Sequence, residues 1–152
     1  MLQNNIEILK YNYLKLVHLI SKVNIVVYLL LIIFTPLAVK ILYGANFEDT
    51  FPIVRILSIY MIFRATGNPI GSLIIATGKT NLEFYWNLLL LLIIPVFVLI
   101  GAQISIEAVA WALTISSILL FYLSWRLLVF KLIGGTFREY LKAIFILQFN
   151  KK

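Results

Sequence analysis

Arg64, Asn68 and Ser72 recur at four-residue spacing inside a stretch otherwise apolar enough to cross a bilayer. On a helix that spacing makes one stripe, and Tyr60 extends it outward. An arginine at the centre of a span costs roughly 2.5–3.5 kcal/mol on insertion scales, so the stripe is expected to face a protein interior or a watery cavity. The guanidinium is a planar fork suited to phosphate oxygens, which makes an anion or sugar contact one reading. The other is a structural arginine paired with a carboxylate or with helix-end carbonyls elsewhere in a bundle. Asn87, further along, suits either an interhelical hydrogen bond or the lining of the same cavity. Arg64, Asn68, Ser72 and Asn87 are therefore the substrate-path candidates.

Between them, Gly67-Asn-Pro-Ile-Gly71 is a G-x-x-x-G. It reads as close helix packing with a static kink at Pro69, or as a Pro-weakened hinge. Other chemistry finds few residues to carry it. With no cysteine and a single histidine, His18, the chain cannot build a thiolate or multi-histidine metal site. No nucleophile–base pair, phosphate-cradling Gly-rich loop or pair of catalytic carboxylates is visible. The expectation is no catalytic residue, no metal, no cofactor and no enzyme.

The elements that would position the stripe follow from composition. Of 152 residues, 62% are hydrophobic and 12% charged, against about 25% charged in ordinary soluble domains. This is an all-α integral membrane protein. Its net charge of +7 lies in basic residues beside hydrophobic runs, a pattern of membrane topology rather than nucleic-acid binding. Met1-Leu-Gln-Asn-Asn-Ile-Glu7 does not read as a signal peptide.

A spanning helix needs about 20 mostly apolar residues. Four runs qualify, at 23–43, 52–77, 82–100 and 104–130. The joints Gly44–Thr50, Gly78–Asn81 and Gly101–Gln103 each hold a glycine and polar residues. Residues 3–22 space Ile6, Leu9, Tyr13, Leu16 and Ile20 by threes and fours among Lys10, Lys15 and Lys22, which predicts a basic amphipathic helix at the membrane surface. A second interfacial helix is predicted over 136–149, where Thr136 and Glu139 have capping-box spacing. Pro36 and Pro95 are expected to kink their spans. Ala108, Ala110, Ala112, Ser116 and Ser117 give the fourth span a face for close packing.

Lysines and arginines fix the orientation. Lys10, Lys15, Lys22, Lys79, Arg126, Lys131, Arg138 and Lys142 fall on one side, while Glu48, Asp49 and Glu107 fall on the other. The positive-inside rule puts both termini in the cytoplasm. Lys40 and Arg55 oppose it, near span ends where long side chains snorkel. Glu83 is expected at the interface, paired with Lys79, and His18 at the membrane surface.

A set of short words in fixed order then becomes legible. They are Leu42-Tyr-Gly44 with Phe47, Gly67-Asn-Pro-Ile-Gly-Ser-Leu73, Ala76-Thr-Gly-Lys79, Phe84-Tyr-Trp-Asn87, Ala108-Val-Ala110 and Arg138-Glu-Tyr-Leu-Lys-Ala143. Leu2-Gln-Asn-Asn5 and Tyr13-Leu-Lys15 join them. With these words the chain resembles the C-terminal portion of bacterial polysaccharide flippases. These Wzx-like proteins sit in the MOP superfamily with the MATE and lipid II flippases, and the nearest resemblance is to the colanic acid and teichuronic acid exporter branch. The resemblance implies a lobe of a two-lobed bundle around a cationic cavity in the bacterial inner membrane. It implies translocation of undecaprenyl-diphosphate-linked oligosaccharide for surface polysaccharide or lipopolysaccharide biosynthesis, often coupled to an ion gradient. It covers nearly the whole chain but only part of such a flippase, so the chain reads as a fragment whose remainder is a partner encoded elsewhere. The alternative is a small helical membrane protein with a structural or assembly role and no transport of its own.

Overall fold

Residues 2–146 are described by a computed structural model, and among them all regular structure is helical. Three stretches are long and apolar enough to span a bilayer: Ile6–Ile33, Thr80–Ala102 and Ile106–Ile133.

The first helix, α1, runs unbroken over Leu2–Ile33. The expected division at residues 22 and 23 does not appear, because no proline or glycine interrupts the chain there. The joint falls instead at Phe34, and α2 spans Thr35–Tyr43 with Pro36 in its first turn. That is where a missing N–H costs least. The Thr35 hydroxyl donates to the Leu31 carbonyl at 2.6 Å and lies 3.2 Å from that of Ile32, the carbonyl Pro36 cannot serve. Such back-bonding bends a helix. The stripe buried on α1 is Tyr13, Leu14, Val17 and Ser21, whereas Ile6 is exposed. Helix α1 packs chiefly on α3 and α8, and this stripe is covered by protein.

The Gly44–Thr50 joint forms a 3-10 turn over Ala45–Thr50, tied back by a 3.0 Å ion pair between Lys40 and Glu48. The expected run at 52–77 is two helices, α3 over Phe51–Gly67 and α4 over Ile70–Thr77. Pro69 has no N–H to give, and the chain closes i→i−3 bonds from Asn68 to Ala65 and from Gly71 to Asn68. Helix α5 covers Thr80–Ala102 and carries Pro95 without breaking.

Helix α6, Ile106–Ser124, is the central strut, with α3 on one side and α5 on the other. The Ser105 side chain caps it by accepting the Ala108 N–H at 3.0 Å. Its small face is buried, as expected at Ala110, Ser116 and Ser117, with Thr114 and Ser124 added. Thr114 donates to the Ala110 carbonyl at 2.9 Å and reaches that of Ile56 on α3 at 3.3 Å. A wide π turn over Trp125–Val129 leads into the short α7, Phe130–Ile133. This carries the run past residue 130, until Gly134 ends it at φ 66°.

Helix α8 covers Phe137–Phe145. The predicted capping spacing holds, with the Thr136 hydroxyl accepting the Glu139 N–H at 3.2 Å. Positions 147–149 of the expected helix and the basic tail after them lie outside the described residues.

The largest hydrophobic cluster sits at one end of the bundle. Tyr13, Leu14 and Val17 of α1 meet Leu73 and Ile74 of α4, Phe121, Trp125 and Val129 of the α6 limb, and Tyr140 and Ala143 of α8. His18 belongs to this joint. It is half-buried with Nδ1 3.0 Å from the Ala143 carbonyl, and is not a free surface residue.

Candidate functional site

The Pro69 break, α5 and α6 together line an open groove. Arg64, in the last turn of α3, lines it with Tyr60 one turn earlier and Gly67 one turn later. Trp86 faces them from α5, and Ser116, Ser117 and Ser124 come from α6. The remaining wall is apolar, with Phe63, Ile70 and Phe121 among it.

Each serine hydroxyl spends its proton on its own helix. Ser116 donates to Leu113, Ser117 to Thr114 and Ser124 to Phe121, at 2.8, 2.7 and 2.7 Å. Their oxygens can still accept. Arg64 is exposed, and among the described residues its guanidinium has neither an ion pair nor a hydrogen bond; the ion pairs are Lys10–Glu139 and Lys40–Glu48. The carboxylate partner of the structural reading is thus absent among the described residues. What remains is a fork with five N–H donors over a serine-lined trough, opposite an indole. That set can hold an anion and stack a ring, and it offers no nucleophile with a base.

The structure brings only part of the expected stripe together. Tyr60 and Arg64 face the groove, whereas Asn68 and Ser72 are exposed and do not line it. Residues four apart drift about 40° per step around a helix of about 3.6 residues per turn, so the row Tyr60, Arg64, Asn68, Ser72 winds away from the groove, and Gly67 and Ile70 take the positions facing it. Asn87 is exposed, makes no side-chain hydrogen bond among the described residues, and yields the groove to its neighbour Trp86. Trp86 reaches the groove because α5 packs against α6.

The packing reading of Gly67 and Gly71 is not met in this chain. A Cβ at either would find no atom within 4 Å. The close approach falls at Gly101 instead, where a Cβ would lie 2.8 Å from the Val109 Cα and 2.9 Å from the Ala108 carbonyl oxygen. Pro69 does break the helix. The expected Lys79–Glu83 pair is not formed: it is absent from the ion pairs of the described residues.

No family model matches this chain, and no solved structure does. Curated proteins do. The chain is 25% identical over 146 residues to the lipopolysaccharide biosynthesis protein WzxC of Escherichia coli (strain K12), covering 95% of this chain and 30% of that protein. It is 31% identical over 130 residues to the amylovoran biosynthesis protein AmsL of Erwinia amylovora, covering 84% of this chain and 33% of that protein. To the teichuronic acid biosynthesis protein TuaB of Bacillus subtilis (strain 168) it is 26% identical over 125 residues, covering 82% and 26%. These matches agree with the resemblance carried by the sequence words, and with three apolar helices they mark a membrane protein. Its curated relatives are Wzx-like polysaccharide-biosynthesis proteins, and the chain spans about a third of their length.

Proposed function

We propose that this chain is one part of a flippase that carries undecaprenyl-diphosphate-linked oligosaccharide across the bacterial inner membrane for surface polysaccharide synthesis. The observation that carries this reading is Arg64, a guanidinium without a protein partner among the described residues, set in a groove between helices. A diphosphate offers the paired oxygens that the fork fits. Trp86 and Tyr60 supply faces for a sugar ring, and the three buried serines accept hydroxyl protons.

In this reading α3 and α4 cross the membrane together as a fourth span. Each is too short alone, but the 51–77 limb reaches about 40 Å at 1.5 Å per residue. The ends of α1 and α8, with their lysines, face the cytoplasm. The groove is completed by the rest of a two-lobed, MATE-like transporter, so export belongs to the assembled protein. Its coupling, where present, is to an ion gradient. Nothing in the site supplies catalysis, and the role is transport.

The test places this segment, with Arg64→Ala, in an intact Wzx-like relative and measures surface polysaccharide. Export should be lost while the protein level in the membrane is kept. Normal export by that variant would overturn the role of Arg64 in the path.

A further inference from the structure

A second groove lies between the first turns of α5 and the α6–α7 limb. Leu82 and Leu89 on one side and Leu128 on the other make it apolar, while Tyr85, Trp86 and Lys131 stand along it. Tyr85 is 64% exposed, so the groove opens outward and is not covered by the bundle. Lys131 is exposed and has no ion pair among the described residues. Lys79 precedes α5 directly and adds a second cation one turn before Leu82. Glu83 is the acidic residue of that first turn and does not line the groove.

A trough with an apolar floor, amphipathic aromatics along it and a cation beside them matches a phospholipid in polarity. Charge selects the headgroup. A zwitterionic lipid brings its own ammonium against Lys131, whereas an anionic one leaves the attraction uncancelled. We propose that this groove holds an anionic phospholipid of the surrounding bilayer. Lys131 contacts the phosphate, Tyr85 and Trp86 flank the glycerol region, and one acyl chain lies along Leu82, Leu89 and Leu128. The site adjoins the Arg64 groove, with Trp86 as the shared wall, and needs only that the chain be embedded in a bilayer.

The full chain in detergent, titrated with phosphatidylglycerol or phosphatidylcholine of the same acyl chains, tests this by native mass spectrometry. Phosphatidylglycerol adducts should survive detergent stripping that removes phosphatidylcholine. Lys131→Gln should lower their retention about fivefold, with circular dichroism unchanged because the residue is exposed. Lys142→Gln on α8 should leave retention as it was. Equal retention of both lipids, or no effect of Lys131→Gln, overturns the proposal. So does a lipid-free dimer that Lys131→Gln disrupts, which would assign the groove to a second copy of the chain.

Discussion

Tyr13 and Tyr140 join the two ends of the chain, with ring centroids 6.4 Å apart and planes within 4° of parallel. Tyr140 is 2% exposed and also stacks against Phe121, at 5.6 Å. It therefore ties α8 both to α1 and to the central strut. Tyr140→Ala should cost roughly 3 kcal/mol or more by opening a cavity among aromatic rings. A shift of the unfolding midpoint in a sodium dodecyl sulfate titration of the micellar protein measures this, and an unmoved midpoint would refute the clasp.

The same residue makes stability fall in alkali. Burial pushes the Tyr140 phenol up from an ordinary 10.0 to about 12. Below the lower value both states keep the proton and nothing changes with pH. Between the two values the unfolded chain releases its proton first, so the native state loses ground as pH rises. Tyr140→Phe should remove this part of the alkaline loss. That variant keeps the ring and its packing, so at neutral pH it should hold stability to within about 1 kcal/mol. Unfolding midpoints at about pH 9 and about pH 11 test the claim.

Three glycines separate packing from flexibility. Gly101→Ala drives a methyl into the Val109 backbone and should cost roughly 1–3 kcal/mol. Gly67→Ala and Gly71→Ala meet open space in this chain and should stabilise it, by up to about 1 kcal/mol. If Gly67→Ala weakens the isolated chain as much as Gly101→Ala does, the assignment of the close contact is wrong.

At the α7–α8 turn, backbone shape should outweigh charge. The Lys10–Glu139 pair is 3.0 Å long but 29% and 50% exposed, so Lys10→Gln should cost under about 1 kcal/mol. Thr136→Ala removes the cap, at about 1 kcal/mol. Gly135 has φ +95°, and a Cβ there would stand 2.9 Å from the Lys10 ammonium and 3.0 Å from the Glu139 carboxylate. Gly135→Ala should therefore be the worst of the three, adding backbone strain to loss of the pair. Thermal unfolding of the three variants side by side gives the ranking.

Local features were legible in the sequence where neighbours in the chain decide them. Thr136 and Glu139 announced their cap, Pro69 its break, and Ala110, Ser116 and Ser117 the face that α3 covers. Arg64 was singled out on cost alone, and it does line a groove. What escaped was decided across the chain. The periodicity of residues 3–22 describes an apolar stripe but not what covers it, and lipid and α8 are alike to a pattern of leucines and tyrosines. Asn68 and Ser72 were placed beside Arg64 by their four-residue spacing, but that spacing drifts about 40° per step around a helix and carries them off the groove face. Trp86 and Ser124 reach the groove only because α5 and α6 pack side by side, and the motif spacing of Gly67 and Gly71 could not reveal that Gly101 would take the contact.

The Gly101 contact also sets where two distant cations stand. With the Val109 backbone pressed against it, and only Gln103 to Ser105 between the two helices, α5 and α6 have no room to part at that end. They form one tight hairpin, closed at the Gly101 end. Lys79 before one limb and Lys131 at the end of the other therefore stand at the same, open end of the hairpin, and a change that opens the Gly101 contact would separate the two cations.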